Sequence, residues 1–156
     1  SYDGADASFE LLARRIIAEI PRYISIKEYD VSVTKNNLDE IVSKAKAKLE
    51  VDGEKIICEG EGNGPVHALD NAIRNNVDKL DKYAEYLKDL KLVDYKVRIL
   101  NTGTEAVTRV SIESTDSKGE NWFTIGVSPN IIEASFRALV DSLDYKLFKD
   151  NAPASN

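Results

Sequence analysis

The sequence is poor in the residues that usually carry chemistry. Its 156 residues include one cysteine, Cys58, and one histidine, His67. A lone cysteine excludes an internal disulfide framework and fits a reducing, cytoplasmic compartment. One His and one Cys are too few for a zinc centre of the usual His/Cys type. No HExxH, GxSxG, GxxxxGK[ST] or CxxC motif is present, so the common signatures of metal, nucleophile and phosphate chemistry are missing. No apolar run approaches the ~18 residues of a membrane span, and Ser1-Tyr2-Asp3-Gly4 does not read as a signal or transit peptide. Positive charge is also scarce: 21 Lys and Arg against 27 Asp and Glu leave a net charge of −6. Nucleic-acid binding needs a clustered basic surface, yet the densest basic stretch, residues 44–48, alternates lysine with alanine. That pattern reads as the solvated face or guarded edge of a strand. Carboxylates are plentiful, but none falls into a catalytic or metal-ligating spacing. The expectation is a binding module with no catalytic residue, no metal ligand, no nucleic-acid partner and no membrane contact.

What is there reads as one α+β domain. Apolar residues make up 42% and charged residues 31%, a globular balance. A chain of this size hides roughly 70% of its unfolded surface. Phe9, Leu12, Ala13, Ile16 and Ile20 recur on one helical face. Asp3 or Asp6 could cap that helix and Pro21 end it, so residues 1–22 read as an N-terminal helix entering the domain. Residues 23–34 are β-branched and aromatic and read as a strand. Ala45, Ala47, Leu49 and Val51 alternate with polar residues toward Asp52-Gly53, a strong two-residue turn. The return strand runs through residues 55–59 into Gly60-Glu61-Gly62-Asn63-Gly64-Pro65. A helix follows, with Val66, Leu69, Ile73, Val77 and Leu80 on one face and a continuation to about Glu85.

The second half repeats this plan. Strands are expected over residues 91–100, 107–115 and 121–126, with a turn at residues 116–119. A final helix from about residue 128 carries Ile132, Phe136, Leu139, Val140, Leu143 and Leu147. At a constant offset of 66, Tyr29-x-Val31-x-Val33 lies over Tyr95-x-Val97-x-Ile99. Gly60 then falls on Gly126, Val66 on Ile132, Ala68 on Ala134 and Ala72 on Ala138. The reading is two βββα units, residues 23–86 and 91–149, within a domain spanning 23–149. Residues 150–156 read as a flexible tail.

Each unit feeds its third strand into its helix through small residues. Small residues let a ligand approach the backbone, and the first helical turn offers unpaired N–H groups with partial positive charge. Pro65 and Pro129 suit a first turn. Ser128 or Asn130 can cap the second helix, and Asn130 with Glu133 resembles a capping box. Both loops are therefore candidate sites for a small carboxylate or phosphate. The glycine spacing is not that of a dinucleotide fold. Trp122 and Phe123 must face opposite sides of their strand.

These residues resemble a known family. Gly60-Glu61-Gly62-Asn63-Gly64-Pro65-Val66-x-Ala68-Leu69 is one of its motifs, and Asp94-Tyr95-Lys96-Val97 and Gly103-Thr104-Glu105-Ala106 are two more. The fourth is Gly126-Val127-Ser128-Pro129-Asn130-Ile131-x-Glu133-Ala134-Ser135. Over about residues 23–148 they are similar to the C-terminal allosteric regulatory (LeuA dimer) domain of 2-isopropylmalate and citramalate synthases. The opening Gly4-Ala5-Asp6-Ala7-Ser8-Phe9 is closer to the citramalate synthases. The resemblance implies a homodimer that binds leucine or isoleucine as feedback inhibitor. It also implies a TIM-barrel catalytic domain on the same polypeptide, using a divalent metal to condense acetyl-CoA with a 2-oxo acid. No cofactor is implied for this fragment. The effector would lie against Gly62, Asn63, Gly64, Val66 and His67, with Leu92, Tyr95, Ile99, Ala106 and Pro129 as further contacts. His67 departs from the small residue often found there. The rival readings are a dimerisation module without a ligand and a small independent enzyme.

Overall fold

The computed structural model describes residues 6–17 and 20–156. The chain runs α1 (Asp6–Ile16), β1 (Ser25–Lys35), β2 (Ile41–Val51), β3 (Glu54–Gly62) and α2 (Pro65–Arg74). A 3-10 stretch (Val77–Tyr83) and a short α3 (Ala84–Leu87) lead to β4 (Lys91–Thr102), β5 (Glu105–Thr115), β6 (Asn121–Ser128) and α4 (Ile131–Lys149). The strands form two antiparallel three-stranded sheets, ordered β1-β2-β3 and β4-β5-β6. This is the expected pair of βββα units with an added N-terminal helix.

The duplication is physical as well as textual. Both first strands carry a bulge, at Ile26/Glu28 and at Leu92/Asp94, again 66 residues apart. Both sheets press a glycine against their helix. A Cβ on Gly60 would run into the backbone N of Ala72, and one on Gly126 into the carbonyl oxygen of Ala134. The aligned Gly60/Gly126 and Ala72/Ala138 pairs are therefore explained by close strand–helix approach. The first hairpin turns through Asp52 (φ 52°) and Gly53 (φ 81°), the two positive-φ positions that an Asp-Gly turn supplies.

Side-chain alternation sets which sheet face meets the helices. Ser43, Ala45, Ala47, Leu49 and Val51 of β2 are buried, as are Ile56 and Cys58 of β3. Lys44, Lys46 and Lys48 sit on the solvated side and pair across strands with Glu61, Glu59 and Glu28. Because β2 is the central strand, these lysines mark a solvated face and no edge. Trp122 is buried and Phe123 half-buried. From α2 the core takes Val66, Ala68, Leu69, Ala72 and Ile73, and from α4 it takes Phe136, Leu139, Leu143 and Leu147. Each large side chain is worth ~1.5–3 kcal/mol when fully buried.

The units interlock through their first strands. Tyr29 of β1 stacks on Phe136 of α4, ring centroids 3.9 Å apart. Tyr95 of β4 meets His67 of α2 edge-on at 5.0 Å. Each unit thus sends one tyrosine of its leading strand onto the other unit's helix.

Four expectations are corrected. The helix after the glycine loop does not run to Glu85: α2 stops at Arg74, and the chain kinks at Leu80–Asp81, where Asp81 has φ 52°. The kink turns Leu80 and Tyr83 into the core together. Residues 150–156 are not a free tail. Ala152 is buried, the Ser155 N–H bonds to Arg22 O (2.8 Å), and Tyr83 Oη donates to Pro153 O (2.7 Å). The N-terminal helix buries Ala7 and Leu11, whereas Phe9, Leu12 and Ile16 are 69%, 57% and 76% exposed. Of the capping candidates, Asp6 stands in its first turn and Asp3 lies outside the described residues.

The fourth correction concerns how that helix ends and docks, since α1 closes at Ile16 and not at Pro21. It is held by polar contacts. Ser8 Oγ accepts from the Ile125 N–H on the free edge of β6 (2.9 Å), and Arg15 pairs with Asp141 (3.1 Å) and Asp144 (2.7 Å). Burial, with Asp141 adding, pushes the Asp144 carboxyl up to about 7, against the pull of Arg15.

Candidate functional site

The two helix N-termini are the natural place to compare the units. Gly64 and Asn130 are the N-cap residues of α2 and α4, and they stand at the same offset of 66. Asn130 closes its helix: Oδ1 accepts from Ile132 N (2.8 Å) and Glu133 N (3.2 Å). Ser128 Oγ adds a bond to Glu133 Oε2 (2.8 Å). The pair is not a reciprocal capping box, because Glu133 turns to Ser128 and Arg137. The second loop, expected to be an anion site, is thus occupied by its own side chains.

At α2 the same positions are bare. Gly64 is extended (φ −164°, ψ 173°) and no side chain caps the helix. A Cβ on Gly64 would meet nothing within 4 Å. Pro65 has no N–H, so Val66 and His67 present the first uncapped amides, where partial positive charge concentrates. Gly62 is needed for packing, since a Cβ there would sit 2.7 Å from Ala68 N and from His67 Cβ.

The structure brings part of the expected set together. Gly62, Gly64, Val66 and His67 surround the first turn of α2, and Tyr95 reaches it through the His67 ring contact. Leu92, one bulged step earlier on β4, lines a cavity of about 190 Å³ between the units. Asn63 is exposed on the loop. Ile99, Ala106 and Pro129 do not join this cluster. Ile99 is 72% exposed and lies four residues from Tyr95, about 13 Å along the strand. It shares a row with Thr108 and Ser128, which places Pro129 near it. Ala106 sits at the hairpin end, paired with Asn101.

Two residues beside the cleft escaped the sequence reading, Asp70 and Arg74. Arg74 grips Asp70 at 3.0 Å and donates to Leu90 O at 3.2 Å. Burial raises the Asp70 carboxyl above its ordinary range, while Arg74 and His67 pull the other way. The signal for them was in the offset: Asp70 aligns with Phe136 and Arg74 with Val140. Only the fold shows that these positions face the opposite unit.

Beyond the helices, the inner sheet faces run on without cover. Val33, Val97 and Ile99 lie on the helix side of their sheets, as their register with Ser43, Val110 and Thr108 shows. They are 65%, 40% and 72% exposed. Exposed apolar side chains on the inner face of each sheet are candidates for an interaction face. Among the described residues, no cluster of three or more His, Cys, Asp or Glu is arranged to hold a metal ion. No helix among them is long and apolar enough to cross a membrane.

Residues 3–147 match the family described as the LeuA allosteric (dimerisation) domain. The chain is 45% identical over 152 residues to the (R)-citramalate synthase of Aquifex aeolicus, covering 96% of this chain and 28% of that protein. It is 44% identical to the (R)-citramalate synthase of Geobacter sulfurreducens, covering 95% and 28%. It is 35% identical over 122 residues to the 2-isopropylmalate synthase of Clostridium acetobutylicum, covering 77% and 19%. The chain therefore spans under a third of the curated relatives it matches. With the duplicated βββα architecture and a family match over nearly its whole length, the chain belongs to the LeuA allosteric (dimerisation) domain family.

Proposed function

We propose that this domain senses a branched-chain amino acid, isoleucine or leucine, and feeds the signal back to a synthase module on the same polypeptide. The relatives named as citramalate and 2-isopropylmalate synthases support a parent that condenses acetyl-CoA with a 2-oxo acid. The higher identity to the citramalate synthases makes isoleucine the first expected effector. The divalent metal belongs to that catalytic module, and this domain takes no cofactor.

The observation that carries the reading is the bare N-terminus of α2 beside the capped N-terminus of α4. The Val66 and His67 amides take the effector's carboxylate, and charge-assisted bonds there favour a zwitterion. Val66, Leu92 and Tyr95 enclose the side chain, worth ~1.5–3 kcal/mol. Leucine and isoleucine differ only in branching, so pocket shape separates them by ~1–3 kcal/mol.

A second copy of the chain covers the bare inner faces at Val33, Val97 and Ile99. Ile99, Ala106 and Pro129 become effector contacts only in that dimer. The reading is supported by the family's dimerisation role and the uncovered apolar rows.

Titration of the chain with isoleucine and leucine, with valine as control, tests the proposal by calorimetry. Gly64→Asp places a carboxylate at the anion site without an internal clash. The expected result is binding in the parent chain and its loss from the α2 N-terminus in a variant that melts normally. A folded dimer that binds neither amino acid would leave only the dimerisation role.

A further inference from the structure

The 190 Å³ cavity lies between the units, walled by Ile73 of unit one, Leu87 at the end of α3, and Leu139 and Leu143 of unit two. Inside, Ser114 and Ser142 spend their hydroxyls on each other at 2.6 Å, so the interior favours an apolar occupant. The mouth is charged on both signs, with Asp70 and Asp78 against Arg74 and Lys88. A mouth with no net charge suits a zwitterion better than a simple ion.

The duplication supplies an internal control. At the offset of 66, Asp70, Arg74 and Leu92 correspond to Phe136, Val140 and Ile26. In unit two those three residues line a cleft against α1 that stays open, about 590 Å³, and Phe136 stacks on Tyr29 beside it. Where one copy packs an aromatic ring, the other places a mostly buried carboxylate gripped by a guanidinium. Nothing in the packing requires that exchange, since Phe and Val satisfy the same positions in the sister unit.

We propose that this cavity is a second ligand site, taking a small aliphatic amino acid with its ammonium on Asp70, its carboxylate on Arg74 and its side chain between the units. An apolar cavity of ~150 Å³ admits a six-carbon ring, so a four-carbon branched side chain fits 190 Å³. The outer site uses the Val66 and His67 amides and this one uses Asp70 and Arg74, three to eight residues further along α2, about 5–12 Å along the axis. Leu92 borders both, and occupancy of the inner site ties α2 to α4.

Calorimetric titration of the chain with isoleucine, leucine and valine decides the matter. The parent chain is expected to bind two amino acids per chain. Gly64→Asp keeps the inner site, and Asp70→Asn weakens it at least tenfold while the outer site stays within twofold. In the Gly64→Asp chain, the methyl resonances of Leu139 and Leu143 should shift with ligand, a readout that needs no further variant. One site per chain that Gly64→Asp abolishes, with those methyls unmoved, would overturn the inner site and leave the outer one standing. Loss of all binding in Asp70→Asn as well as in Gly64→Asp would mean one shared site, which also overturns it.

Discussion

On the side of α2 that faces the other unit stand Gly64, His67, Asp70 and Arg74; on α4 the corresponding residues are Asn130, Glu133, Phe136 and Val140. Both helices enter from a sheet through small residues, and both meet a tyrosine from the opposite unit. In unit two the Ile132 and Glu133 amides are spent on the Asn130 cap, and a ring from the opposite unit stacks on α4. In unit one the cap is missing and the ring is replaced by an acid beside a cavity between the units. A duplicated fold thus separates what a βββα unit needs to stand from what one copy carries in addition. Glycines 60 and 126 belong to the first class; Gly64 and Asp70 belong to the second.

The units also differ at their far ends. Unit one closes with Val51, Leu80 and Tyr83 in an apolar core. Unit two has Lys146 at the position offset from Leu80, buried among Asp89, Asp116 and Asp150, with Lys149 on Asp116. Burial works against each of these charges, but hydrogen bonds outweigh it. Lys149 and Lys146 hold Asp116 below its ordinary range, and Ser117 and Lys146 hold Asp89 down at about 2. Their stabilisation is present above the ordinary carboxylate range and is lost as pH falls toward about 2.

The comparison can be broken at graded cost. Gly126→Ala and Gly60→Ala should be the most damaging, about 3 kcal/mol or more each, because a backbone atom stands where the methyl must go. Denaturant melts that differ widely between the two would show that the close approach is not shared. Lys146→Ala should cost about 3 kcal/mol by stranding buried carboxylates. Lys146→Leu, although it copies Leu80, should rescue little, and a full rescue would make the ion cluster dispensable.

Asn130→Ala should cost about 1 kcal/mol through loss of the cap. Gly64→Asn should have opposed effects: a gain of a few tenths of a kcal/mol from a new cap, and at least tenfold weaker effector binding. A pH-dependent effect concerns Asp144. Its folded value of about 7 lies above its ordinary 3.8, so the folded chain holds a proton that the unfolded chain releases. Stability therefore falls as pH rises from about 4 to about 7, and Asp144→Asn should flatten that part of the profile in thermal melts.

Much of this was legible beforehand because periodicity and turn chemistry agree with the fold. Asp52-Gly53, the alternating β2 residues and the aligned glycines each had one physical solution. The errors share a cause. The α1 residues Phe9, Leu12 and Ile16 form an apolar stripe, but Ser8 and Arg15 decide the docking face through contacts 117 to 129 residues away. Residues 152–156 look unstructured until Arg22, Asp52 and Tyr83 offer partners. Asp70 and Arg74 escaped the sequence reading because an i,i+4 acid and base on one helix carry no sign of the unit across from them.

The most direct test follows the backbone amides during an isoleucine titration by nitrogen-edited NMR. The account predicts large downfield shifts at Val66 and His67, with Ile132 and Glu133 unmoved behind the Asn130 cap. Shifts at the α4 amides instead, or none at α2 under saturating isoleucine, would contradict it.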